Sequence, residues 1–225
     1  MECEDILRKL ESLANPENVA GMARFGINPK NTLGISVPTL RKMAKGIGKD
    51  HVLAQELWAS CVHEARMLAS LIDDPRLVTE EQMERWVADF DSWDVCDGCC
   101  ADLFDRTPFA YRKAVEWAGR DEEFVKRAGF ALMAALAVHD KRAPDEAFLE
   151  FLPAIERESA DARNFVKKAV NWALRQIGKR NARLNAAAIE TAQEIQGVGS
   201  KAGRWIAADA LRELTGDKVQ ERLHA

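Results

Sequence analysis

Phe165-Val166-Lys167-Lys168-Ala169 repeats, 41 positions on, the earlier stretch Phe124-Val125-Lys126-Arg127-Ala128. A weaker echo follows at Lys201-Ala202, with Trp205 in the place of Trp172. Similar helices recurring at intervals of this size indicate stacked helical pairs, because one pair cannot bury its apolar face alone. Arg127 and Lys168 occupy equivalent positions in the two copies and are expected to share one wall of the stack.

The helical period is explicit around the second copy. Val166, Val170, Ala173 and Ile177 recur at i, i+4, i+7 and i+11, which places them on one face. Between Ala162 and Ala188 lie seven basic residues and no acidic one. Lys168, Arg175 and Lys179 fall on roughly the opposite face, with Trp172 among them. Core packing does not place a tryptophan on a basic face. The combination suits a polyanion that also offers something flat, such as a nucleotide. Charge alone fits an ordinary solvated helix face equally well.

Outside this stretch the signals are helical as well. Candidate helices cover about 3–14, 17–26, 37–47, 51–60, 62–72, 79–90, 93–105, 109–119, 122–138, 144–156, 161–178, 182–195 and 200–215. They are punctuated by Asn15-Pro16, Asn28-Pro29, Asp73-Asp74-Pro75, Thr107-Pro108, Ala143-Pro144 and Gly197-Val198-Gly199. The expected fold is all-α, a curved solenoid of antiparallel helical pairs of the HEAT-like kind. No linker stands out, so one domain over residues 1–225 is expected.

Composition bounds the function. The 225 residues are 47% hydrophobic and 30% charged, with net charge −4. Residues 1–110 carry 12 Lys and Arg against 19 Asp and Glu; residues 111–225 carry 20 against 17. Binding to phosphates therefore requires positive charge gathered on one surface. No apolar run approaches the ~18 residues of a membrane span, and no membrane partner is expected. Met1-Glu2-Cys3-Glu4-Asp5 lacks a secretion-signal pattern, and the five cysteines are expected as reduced thiols, so a cytoplasmic location is expected.

A second unusual stretch, Asp89 to Asp105, holds six aspartates and no basic residue. Asp91 or Ser92 is a plausible N-cap, which sets Trp93 and Asp97 at i and i+4 on one face of a helix start. Early helical acids also complement the helix dipole, and Asp94 is assigned that structural role. Cys96, Cys99 and Cys100 lack the partner ligands of a thiolate metal site and fit small buried helical residues better, so no metal is expected. His63 and His139 stand apart from any serine or cysteine partner. Gly197-Val198-Gly199-Ser200 lacks the Lys-Ser/Thr of a phosphate loop and is a turn before a helix.

Together, Met22-Ala23-Arg24-Phe25, Leu33-Gly34-Ile35 with Pro38 and Arg41, Leu57-Trp58, Trp93-Asp94-x-x-Asp97, Lys126-Arg127-Ala128 and Trp172-Ala173-Leu174-Arg175 resemble the AlkD-type DNA alkylation repair family, HEAT-like-repeat DNA glycosylases. The resemblance spans nearly the whole chain. It implies hydrolysis of the N-glycosidic bond of N3- or N7-alkylated purines in double-stranded DNA, by a monomer without organic cofactor. Asp97 then matches the catalytic carboxylate, and Trp93 and Trp172 match aromatics lining the active-site cleft. Arg127 matches a basic DNA contact, while Phe25 and Phe165 stand where the family presents further aromatics. Lys168, Arg175 and Lys179 would join the DNA contacts. Ser92 stands where the family's pattern has an aromatic. Two alternatives are a DNA-binding relative without excision and a protein-interaction scaffold.

Overall fold

A computed structural model of the chain describes residues 2–224, with no strand among them. The chain forms two compact units, Met1–Thr107 and Pro108–Ala225. The first holds α1 (Cys3–Ser12), α2 (Pro16–Arg24), α3 (Val37–Ile47), α4 (His51–Ala59), α5 (His63–Ile72), α6 (Glu80–Ala88) and α7 (Trp93–Asp102). The second holds α8 (Ala110–Ala118), α9 (Glu123–His139), α10 (Asp145–Leu149), α11 (Leu152–Arg157), α12 (Asn164–Gly178), α13 (Ala182–Gly197), α14 (Lys201–Leu214) and α15 (Asp217–His224). No helix among the described residues is long and apolar enough to cross a membrane.

Polar residues set many of the helix starts. Asn15, Asp50, Thr79, Asn181 and Ser200 each accept the N–H three residues on, satisfying a donor that the first turn leaves unpaired. Two expectations need correction. The segment 144–156 is two helices, α10 and α11, because Pro153 has no N–H to continue a helix and sits in the first turn of a new one. Beyond Gly216 the chain resumes as α15, a strongly polar helix outside the expected set.

In the first unit α3, α5 and α7 pack in succession, and α4 pairs with α5. Polar bonds there recur at a span of 31 residues. Leu33 N–H donates to Glu64, the Trp58 indole to Asp89, and His63 meets Asp94. Glu64 is fully buried and accepts three N–H groups, from Leu33, Gly34 and Ile35, at 2.8, 2.6 and 3.1 Å. It thereby satisfies the loop that leads into α3.

In the second unit α9 is the centre, buried without interruption from Val125 to Ala137. Parallel to it lie α12 and then α14, while α8 and α13 form antiparallel pairs with α9 and α14. Val166, Val170, Ala173 and Ile177 are all fully buried, as their period requires. Here the recurring span is 38 residues: Arg127 to Phe165, Lys167 to Trp205, Asn171 to Asp209 and Arg175 to Glu213. Charge follows the same division. Residues 108–110 are uncharged, so the counts above give the first unit net −7 and the second net +3.

Gly129 sets how closely α8 approaches α9. A Cβ there would lie 2.4 Å from Ala118 N and 2.8 Å from Ala114 O, both backbone atoms that cannot rotate away. Gly129→Ala is expected to lower unfolding free energy by about 1–3 kcal/mol, the usual cost of overpacking, despite alanine's better helix propensity. Equilibrium denaturation measures it; an unchanged or raised stability would show that α8 moves aside freely.

Candidate functional site

The start of α7 is built from outside the helix. Ser92 is fully buried, and its hydroxyl accepts the Asn28 N–H at 3.2 Å, while Asn28 Nδ2 donates to Asp91 at 2.7 Å. Ser92 thus pins α7 to the segment after α2. One residue on, the Trp93 indole N–H donates to the Phe25 carbonyl at 3.0 Å. Phe25 itself is 75% exposed at the end of α2. Phe25 and Trp93, with Met22, Ile27 and Ile35, line an open and mainly apolar cavity of about 480 Å³. Asp97 follows one turn after Trp93 and is half-buried.

Asp94 does more than complement the dipole. Its Oδ2 lies 2.9 Å from His63 Nε2, joining the first turns of α5 and α7. Burial opposes protonation of His63, but the hydrogen bond and charge of Asp94, with Glu64 and Asp91 nearby, raise its pKa above the ordinary 6.5. Burial would raise Asp94, yet His63, Ser92 and the Val95 N–H hold it below the ordinary 3.8. Both shifts favour the ionic form of the pair. Cys96, Cys99 and Cys100 are fully buried in α7, and burial pushes the Cys99 and Cys100 thiols well up, as inert packing residues require.

The second unit carries the basic residues. Arg127 is 6% exposed, and its Nη1 donates to the Phe165 carbonyl at 2.6 Å, joining α9 to α12. Phe165 is half-buried, with its ring centroid 5.5 Å from that of Phe124, its counterpart in the repeat. Trp172 is half-buried, outside the apolar core face of α12. Lys168, one turn before it, is exposed and has no acidic partner among the described residues.

Arg175 and Lys179 differ from the free cations their own stretch suggests. Arg175 Nη1 lies 2.5 Å from Glu213 and 3.6 Å from Asp209, and Lys179 Nζ lies 2.7 Å from Glu213. The acids come from α14, which the acid-free window does not include. Burial works against the Glu213 charge, but Lys179 and Arg175 outweigh it and lower its pKa. Arg163 and Arg183 are likewise paired, with Asp161 and Glu146. Lys126 of the first repeat copy is paired too, buried and 2.5 Å from Glu158.

These features define a class: a helical-repeat protein with a carboxylate one turn after a tryptophan on one helix, and a tryptophan amid cations on another. The family model described as DNA alkylation repair enzyme matches residues 6–214, and the chain belongs to that family. Among solved structures, the fold is similar to one described as "A new family of proteins related to the HEAT-like repeat DNA glycosylases with affinity for branched DNA structures". That similarity has a TM-score of 0.77 at 20% identity, over 94% of this chain and 95% of the other. Comparison with curated proteins finds no match.

The His63–Asp94 bond has a definite pH signature. His63 is raised, so its contribution is complete below pH 6.5 and is lost as pH rises through its folded pKa. Asp94 is lowered, so its contribution is complete above pH 3.8 and is lost as pH falls through its folded pKa. Full strength falls between these limits. His63→Gln is expected to cost about 1.5–3 kcal/mol near pH 6, the worth of a hydrogen bond to a charged group, and clearly less near pH 9. Denaturation at both pH values measures it; an equal cost at each would show that the pair is not ionic.

Proposed function

We propose that the protein binds damaged duplex DNA and hydrolyses the N-glycosidic bond of purines alkylated at N3 or N7, with Asp97 as the catalytic carboxylate. The carrying observation is the start of α7, where Trp93 and Asp97 sit one turn apart in a chain of the DNA alkylation repair enzyme family. Three polar anchors hold that turn: Ser92 to Asn28, Trp93 to the Phe25 carbonyl, and Asp94 to His63.

The chemistry asks little of the protein. A purine alkylated at N3 or N7 is already cationic, so it leaves with the bonding electron pair as a neutral base and needs no general acid. Positive charge then develops on the deoxyribose. The Asp97 carboxylate stabilises that charge and orients the water that adds to C1′, whose proton passes to the carboxylate or to solvent. The face of Trp93, one turn from Asp97, favours a cationic base by roughly 0.5–2 kcal/mol. Phe25 extends that aromatic surface beside Trp93, and in the second unit Phe165 and Trp172 offer aromatic faces of their own. Lys168 faces the phosphates as an exposed cation, and Arg175 and Lys179 contribute a charge that Glu213 partly offsets. Arg127, held on the Phe165 carbonyl, orients the segment from which Lys168 and Trp172 project.

A second reading, binding without excision, is supported by the structural neighbour's described affinity for branched DNA. Release of 3-methyladenine or 7-methylguanine from methylated DNA separates the two. Wild type is expected to release base, and Asp97→Asn to be slower by about 10²–10³, the usual cost of removing an electrostatic stabiliser. No release by wild type at high protein concentration would leave binding alone, whereas full activity in Asp97→Asn would move catalysis to another residue. Lys168→Ala is expected to weaken binding to all duplex sequences and to lower the slope of log affinity against log salt by about 0.9. A slope unchanged in Lys168→Ala would remove that residue from the phosphate contacts.

A further inference from the structure

The third, weaker copy of the sequence repeat lies on α14. Its solvent face consists of Lys201, Arg204, Trp205, Ala208 and Arg212, all exposed. Trp205 is 40% exposed, whereas Trp58, Trp86 and Trp117 are buried and Trp93 and Trp172 half-buried. The two acids of this helix's second half are both engaged, and each reaches α12. Asp209 accepts from Asn171 and pairs with Arg175 and Arg212, and Glu213 holds Arg175 and Lys179. What remains outward is cationic and aromatic. Lys167 Nζ of α12 lies 4.8 Å from the Trp205 ring centroid, and Arg204 donates to the Gly199 carbonyl at the start of the helix.

We propose that this face of α14 binds an unpaired DNA strand, with Trp205 stacking one unstacked base and Lys201 and Arg204 holding the adjoining phosphates. The inference rests on the DNA-binding reading above and adds a preference to it. Within an intact duplex each base face is covered by its neighbours, so an exposed indole has nothing flat to meet. A strand that has left the duplex offers a free π-face at every base, whatever the sequence. Charge complementarity selects the same occupant. Lys201 and Arg204 lie within one turn of Trp205, and the acids nearest to them along the helix are already engaged by α12.

The test compares binding of a linear duplex with binding of the same duplex carrying a single-stranded tail, by fluorescence anisotropy at fixed salt. Wild type is expected to prefer the tailed DNA. Trp205→Ala is expected to lose roughly 5- to 100-fold in affinity for the tailed DNA, and Trp205→Phe much less, with linear-duplex affinity unchanged within about twofold. The Lys201→Ala/Arg204→Ala variant is expected to lower the salt slope on tailed DNA by roughly 0.7 for each cation removed. Trp205 is exposed, so an unchanged melting temperature in Trp205→Ala checks that the fold is intact. Equal loss on both DNAs, or no preference in wild type, would overturn this inference and leave duplex binding standing. No DNA binding by wild type would overturn both readings.

Discussion

The parallel packing of α12 against α14 in a single register is the constraint on which the C-terminal unit depends. Lys167 meets Trp205, Asn171 meets Asp209, and Arg175 meets Glu213, each step four residues along both helices. Residues at i, i+4 and i+8 form one slowly turning stripe, so the two stripes stay in contact over two turns. A slip of one turn would leave Asp209 and Glu213 opposite the wrong partners. The energy of association lies elsewhere. Exposed or half-exposed ion pairs are worth about 0–1 kcal/mol, whereas each fully buried side chain such as Val166 or Ile177 contributes roughly 1.5–3 kcal/mol. The apolar faces hold the helices together, and the polar stripe decides where they stop. Because that stripe draws the acids of α14 inward, it also decides the sign of the surface left outside.

The N-terminal unit uses the same device with shorter repeats and with carboxylates as the centre of each joint. Glu64 gathers three backbone N–H groups, Asp89 takes the Trp58 indole, and Asp94 takes His63. Two of these joints lie close to the start of α7, so the residues proposed to act on the lesion grow from a stretch bonded to both α4 and α5. The unit's charge of −7 suits the proposed chemistry. A negative surrounding favours both a cationic base and a developing oxocarbenium, while the +3 of the other unit favours phosphates. The weakly acidic whole is the sum of two units of opposite charge.

Much of this was legible in the sequence, and the gaps have one cause. The helix at 37–47 and the buried set Val166, Val170, Ala173 and Ile177 follow from periodicity, which is local. So does the burial of Cys96, Cys99 and Cys100. The break before Pro153 was equally local and could have been read from the proline alone. Partnerships across repeats could not be. Arg175 and Lys179 read as free cations because Glu213 lies 38 and 34 residues away, and the His63–Asp94 bond, spanning 31 residues, has no local signal either. The signal was present as opposite charges at the repeat distance. It becomes visible only when the repeat length of each half is known, and the two halves differ.

A repeat fold also constrains how the remaining charges are interpreted. Solubility requires that a helix face be polar, and Lys201, Arg204 and Arg212 satisfy that requirement without a ligand. It gives no reason for an indole beside them. Trp172, in the preceding copy, is half-buried, and packing against its neighbours accounts for part of its surface. Trp205 retains 40% of its surface toward water although Lys167 already covers part of one face. Leaving that area wet forgoes the stabilisation that burial of an aromatic ring provides. Cations alone would serve a phosphate backbone. The added tryptophan is what distinguishes a surface for a strand with accessible bases from a surface for duplex alone.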